Sequence, residues 1–278
     1  MLPDDYNQCG GGQCGPSGFA TWVLPMRVNP YKSPKTTGQS PGQKIGRILF
    51  GCIAGACVVA LLVALLLPAT RSAREPARRS QCGNNLKQIG LALLEYEEAH
   101  HALPPAYTVD ANGKPLHSWR TLILPYVEQY ELYKKIDLSK PWDDPANKTA
   151  FEASIPTYRC PSVVCPATHT TYLAVVAPSG CFRPDRPREL LEITDDRNLT
   201  LMVIEVAAKR AVHWMSPTDA AESEIVNLGA VTKPPHPSGA HAVTVSGSVF
   251  LVGANSKKDK LRALISIAGN DDVIAGAN

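Results

Sequence analysis

The sequence predicts an α+β fold. A long N-terminal helix, first transmembrane and then the spine of a globular domain, packs on an antiparallel β-sheet with loop-rich insertions. Three observations predict it. From Ile48 to Leu67 the chain (ILFGCIAGACVVALLVALLL) carries no charge, and about 20 apolar residues suffice for a helix to cross a bilayer. From Cys82 to His100 apolar residues recur at spacings of three and four, the period of one helix face. Further on, short β-branched runs alternate with turn residues, as strands and their connections do.

These signals divide the chain into a disordered tail over 1–44, a transmembrane and spine helix over 45–101 with the membrane span at 48–67, and a globular α+β domain over 102–278. The tail holds Gly10-Gly11-Gly12 and prolines spaced from Pro16 to Pro41, a composition that buries too little surface to repay ordering. Cys9 and Cys14 resemble half of a zinc site, but no second pair or histidine follows. The apolar run starts too late and is too long for the core of a secretory signal peptide. Net charge is +3, too slight to argue for nucleic acid. Its basic excess is local: Arg71, Arg74, Arg78 and Arg79 flank the apolar run, where arginine anchors a helix to lipid phosphates. Lys32, Lys35, Lys44 and Arg47 precede the run, so charge alone leaves its orientation tied.

Within the span, Gly51 and Gly55 form a small-xxx-small pair that lets another helix approach closely. Pro68 and Pro76 are expected to interrupt the helix near the membrane surface, because each removes a backbone donor. After them Leu86, Ile89, Leu93 and Tyr96 form the stripe that faces a sheet, while Asn84, Lys87, Gln88, Glu95 and Glu98 form the wet side. Pro104-Pro105 ends the helix. Asp110 to Gly113 reads as a turn, Ser118–Ile136 has helical spacing with Pro125 inside it, and 147–153 reads as a short helix. Strands are expected at 171–176, 199–206 and 211–215, and a hairpin at 242–252 around Ser246-Gly247. Ser256 is expected to cap a last helix with Leu261, Leu264, Ile265 and Ala268 on one face. No internal repeat is visible.

Of the eight cysteines, Cys52 and Cys57 lie in the apolar run and read as small apolar residues. Cys82, Cys160, Cys165 and Cys181 allow three pairings in an oxidising compartment. Cys82–Cys160 with Cys165–Cys181 is favoured, and free buried thiols are the alternative.

The string from Leu65 to Tyr107, LLLPATRSAREPARRSQCGNNLKQIGLALLEYEEAHHALPPAY, resembles the start of a large bacterial family. Its members carry a type IV pilin-like N-terminus followed by domain of unknown function 1559. Further pieces agree in order: Gly113 to Arg120, Leu124 to Gln129, Pro141-Trp142-Asp143, Tyr158 to Ser162, Thr200 to Glu205, His213 to Asp219, and Gly247-Ser248-Val249. The resemblance covers roughly residues 45–270. It implies a type IV pilin/pseudopilin-like fold in the inner membrane, single-pass, with a cytoplasmic N-terminus and a periplasmic globular domain. That placement resolves the charge tie and supports disulfides among the downstream cysteines.

Two departures bear on processing. Aligned back from Pro68, Gly46 stands where pilin-like leaders are cleaved, and Gly46 with Arg47 reads as a remnant of that site. Arg47 occupies the first mature position, which is usually hydrophobic, and Gly51 stands in place of the glutamate that pairs with a neighbouring subunit's amine. The expected protein is therefore membrane-anchored, structural or interacting, uncleaved and not filament-forming. Its expected partners are the bilayer, through 48–67, and pilin-like or secretion-system subunits. The alternatives are a carbohydrate- or peptide-binding face built from Trp119, Trp142 and Trp214 with Tyr126 and Tyr172, and a processed pseudopilin of a type II secretion-like system.

No catalysis, cofactor or small-molecule substrate is expected. His117, His213, Asp219, His236, His241 and Glu205 are the titratable candidates. The sequence has no Ser/His/Asp order, phosphate-binding Gly-rich loop or HExxH spacing. His236 and His241 read as structural, because Pro237 to Gly239 makes a turn between them and no carboxylate partner is evident.

Overall fold

A computed structural model describes residues 41–227 and 234–269. The tail assigned to disorder, with Cys9 and Cys14, lies outside these residues except at 41–44, which are helical. The chain separates into two compact units at Ala60–Leu61.

Helix α1 runs from Pro41 to His100. The expected interruptions at Pro68 and Pro76 do not occur. A proline inside a helix removes one hydrogen bond and crowds the residue four back, and here neither cost ends the helix. It stops instead at His101, whose φ of 59° is left-handed. In the first unit the side chains of residues 42–60 are exposed, including Ile45, Ile48, Leu49, Phe50 and Ile53. Gly42–Ala64 is 23 residues long and apolar enough to cross a membrane. At 1.5 Å per residue it spans about 35 Å, against a hydrocarbon core of about 30 Å. Gly46, Arg47, Gly51 and Gly55 all lie exposed on this segment.

In the second unit the predicted stripe of α1 is the buried face. Leu86, Ile89 and Leu93 are fully buried, Tyr96 is half-buried, and the five residues assigned to the wet side are exposed. Gly90 lets the helix approach the sheet: a Cβ there would lie 2.5 Å from Val243 Cγ2. The sheet has the order β7-β4-β5-β8-β9, with β4 Tyr172–Val176, β5 Leu201–Glu205, β7 Ala220–Ala221, β8 Ala240–Thr244 and β9 Val249–Val252. Its pairs are antiparallel except β4–β7, so the sheet is mixed where an antiparallel one was expected. The β8–β9 hairpin turns at Gly247, with φ 73°.

Side chains alternate across this sheet. Tyr172, Ala174, Val203 and Val243 join the core that includes α1. Leu173, Val175, Ile204 and Ala242 join a second core with helices α5 Glu222–Val226 and α6 Lys258–Ile265. Both faces are therefore covered, which explains why these strands read as continuous apolar runs. The N-cap of α6 is Lys257, not Ser256, and no side chain closes it.

Among the described residues, two further antiparallel pairs lie outside the main sheet: β1 Tyr107–Val109 with β2 Pro115–Ser118, and β3 His169–Thr170 with β6 Val212–His213. The β1–β2 turn holds the predicted Asp110–Gly113 segment, where Asp110 Oδ1 accepts from the backbone of Asn112 and Lys114. The helical spacing of 118–136 resolves into three short pieces: α2 Trp119–Leu122, a 3₁₀ turn Leu124–Val127 led in by Pro125, and α3 Tyr130–Tyr133. Glu128, left-handed at φ 62°, separates the last two. Helix α4 covers Lys148–Phe151.

Candidate functional site

Three of the titratable candidates converge. Glu205 is the last residue of β5, and its side chain is fully buried. Continuing the β5–β8 register, which pairs Ile204 with Ala242, places His241 opposite it. His241 Nδ1 lies 3.4 Å from Glu205 Oε2. His236 comes from the chain entering β8, where it closes a tight turn by exchanging backbone hydrogen bonds with Gly239. Gly239 has φ 140°, and a Cβ there would collide with the Val252 carbonyl. This turn brings His236 Nε2 to 3.1 Å from the same Glu205 Oε2, without the alignment of a hydrogen bond.

The other nitrogen of His236, Nδ1, lies 3.4 Å from Oε1 of Glu75 on α1. Ser162 donates to that same oxygen at 3.1 Å, and Arg79 Nη1 donates to Ser238 Oγ at 2.9 Å. The helix, the β5 end and the β8 approach are thus tied by a chain of ionisable side chains, Glu75–His236–Glu205–His241. Burial alone raises the Glu205 carboxyl, but the two histidines outweigh it and hold the group below the ordinary carboxylate value. Burial alone lowers His236, but Glu205 and then Glu75 carry it above the ordinary imidazole value.

Beside this chain, Cys82 of α1 and Cys160 are joined by a disulfide with Cα atoms 5.1 Å apart. The Cys82 and Cys160 sulfurs, a Glu205 oxygen and a His236 nitrogen all lie within 4.8 Å of one another, and all four residues are buried. Tyr172 Oη donates to the Cys82 carbonyl at 3.5 Å. A groove of 850 Å³ opens nearby, lined in part by Glu75, Arg79, Lys87, Ser238, His241 and Ser248.

Other expected site residues fall elsewhere. The Cys165–Cys181 bridge is not formed. Cys181 is buried after β4 with its thiol pushed up to about 12 by burial, while half-buried Cys165 faces the His169 carbonyl beside β3. Trp119 and Trp214 are buried core residues, so they form no exposed aromatic face. Trp119 Nε1 donates to Asp219 and Trp214 Nε1 to the Ala153 carbonyl. Trp142 is half-buried, with its ring 5.7 Å from Phe151 and 5.1 Å from His213. Of the two tyrosines added to that face, Tyr126 is half-buried and Tyr172 is buried.

His213 is structural: Nε2 donates to the Phe151 carbonyl and Nδ1 accepts from Met215 N, which fixes the neutral tautomer. Burial lowers its pKa, and lowers that of buried His117 as well. Asp219 belongs to a buried ion pair with Arg120 and also accepts from Ala174 N at 2.7 Å. The reading that the histidines lack a carboxylate partner is thus reversed by Glu205 and Glu75. Glu205 stands as the sole charge on β5, where every residue is buried, and a charge in such a strand calls for a partner.

Residues 71–180 match the family described as protein of unknown function (DUF1559), so that part of the chain carries this domain. No curated protein and no solved structure matches the chain.

Proposed function

We propose that this DUF1559 chain is a pilin-like structural or interaction protein of the bacterial inner membrane, held uncleaved by one span with its α+β domain on the extracytoplasmic side. One observation carries the reading: the exposed apolar segment Gly42–Ala64 belongs to the same helix that supplies the buried stripe Leu86–Leu93 and Cys82. Exposed apolar surface of that length is costly in water and stable in lipid. The Cys82–Cys160 disulfide supports an oxidising compartment for the domain, since such bonds persist there and are rare in cytosol. The helix-on-sheet arrangement supports the pilin-like comparison, and Arg47 with Gly51 supports an anchor that stays whole and does not seed a filament. A carbohydrate-binding tryptophan face finds no support, because Trp119 and Trp214 are internal.

The test is alkaline extraction of membranes combined with mass determination of the retained protein. The full-length chain stays in the membrane pellet. Val58→Arg with Val59→Arg, costing about 2.5–3.5 kcal/mol each at mid-span, releases it. Loss of residues 1–46 from the retained protein overturns the uncleaved anchor, and release of the unaltered chain overturns the anchor itself.

A further inference from the structure

We propose that Cys82, Cys160, Glu205 and His236 form, in the reduced protein, a four-ligand site for a divalent ion of the zinc class, and that the disulfide is the closed state of the same site. Two thiolates, an imidazole and a carboxylate are a zinc donor set. Zinc bonds of about 2.0–2.3 Å imply ligand edges of about 3.3–3.8 Å. The four donors already lie within 4.8 Å of one another, so rotamer adjustments close the shell.

Two observations point to a ligand independently of that proximity. Glu205 Oε1 and His236 Nε2 are buried and lack aligned hydrogen-bond partners, an expensive state for polar atoms that a metal bond relieves. His236 also has the surroundings of a metal-bound histidine. Its Nδ1 faces the Glu75 carboxylate at 3.4 Å, which holds the proton there and turns Nε2 inward, as outer-sphere carboxylates do. His241 braces Glu205 in the same way, at 3.4 Å. The groove is lined by Glu75 and His241, the two residues that contact His236 and Glu205 from outside the donor set.

The exchange between states balances with a dithiol as reductant. The dithiol is oxidised to its own disulfide, and its two electrons and two protons go to Cys82 and Cys160 as the S–S bond breaks. Zinc then binds both sulfurs and releases the two protons. The proposal extends beyond the anchor reading, and its failure leaves that reading intact.

The test uses the detergent-solubilised full chain, either oxidised or reduced with a phosphine that does not compete for metal. Each form is dialysed anaerobically against zinc, and bound zinc is counted by mass spectrometry. Cobalt(II) supplies a thiolate charge-transfer band as a second readout. The expected result is one more zinc per chain in the reduced form than in the oxidised form, whose remaining cysteines are unchanged. Zinc also shields Cys82 and Cys160 from alkylation. His236→Gln removes the extra zinc, and Glu75→Gln weakens it about 10–100-fold. Equal zinc in the two redox forms overturns the site. So does undiminished zinc affinity in His236→Gln, or loss of the folded circular-dichroism signal on reduction that zinc does not restore.

Discussion

Gly90→Ala sets two effects of opposite sign against each other. In an isolated helix, alanine is favoured over glycine by about 1 kcal/mol. Here the new methyl would lie 2.5 Å from Val243 Cγ2, with Gly247 Cα at 3.5 Å and Val243 Cβ at 3.7 Å. Carbon pairs are comfortable at about 3.5–4.0 Å, so the overlap is about 1 Å. Val243 is fully buried on β8, paired to β5 on one side and β9 on the other, and Gly247 limits sideways escape. Overpacking of such a core costs about 1–3 kcal/mol. Taking its upper half and subtracting the propensity gain leaves a net loss of about 1–2 kcal/mol. For a domain of this size that lowers Tm by about 2–8 °C. The assay is thermal unfolding of the detergent-solubilised chain, followed by the fluorescence of buried Trp119 and Trp214. A Tm that rises in Gly90→Ala means propensity wins, and refutes the close approach of α1 to β8.

Other expectations concern the buried polar groups. Asp219→Asn leaves the Arg120 guanidinium buried without its counter-charge, and denaturant unfolding should show a loss of about 3–5 kcal/mol; a loss under 1 kcal/mol would falsify the ion pair's structural role. Cys82→Ser with Cys160→Ser opens a loop of sequence separation 78, which the chain-entropy relation converts to about 4.5 kcal/mol. Unfolding with and without reductant should differ in the wild type and coincide in the double variant. The Glu205–His236 contact makes stability depend on pH in both directions. The raised His236 contributes fully below its unfolded value of 6.5 and is lost as pH rises through its higher folded value. The lowered Glu205 contributes above its unfolded value of 4.5 and is lost as pH falls through its lower folded value. Melts across pH should therefore show both contributions together between about 4.5 and 6.5, with the decline on the alkaline side removed by His236→Gln. An unchanged alkaline limb in that variant contradicts the assignment.

The spine was legible because its signal is local. Leu86, Ile89 and Leu93 recur at helical spacing, and the same residues are buried. β4, β5 and the β8–β9 hairpin were legible from β-branched runs and Ser246-Gly247, each a short-range feature. The small strands β3 and β7 were not. Two residues carry no period, and their pairing depends on where β6 and β4 already lie. Pro76 misled because its cost is local, while the helix around it spans 60 residues.

The site was least legible because its parts come from α1, the loop after Tyr158, the end of β5 and the turn before β8. Nothing in linear spacing brings Glu75 to His236, 161 positions away. The tryptophans offered a binding face only as an alternative to core or rim packing. Their polar neighbours Asp219 and the Ala153 carbonyl satisfy indole N–H groups inside the core, so large amphipathic rings are internal without cost.

The proposed function rests on an anchor helix that carries its domain outside the cytoplasm. Protease treatment of sealed bacterial spheroplasts, with a tag on the C-terminus and a cytoplasmic protein as the seal control, tests it most directly. The expected result is loss of the tag and of the domain while the control stays intact. A domain that survives until the spheroplasts are lysed would contradict it.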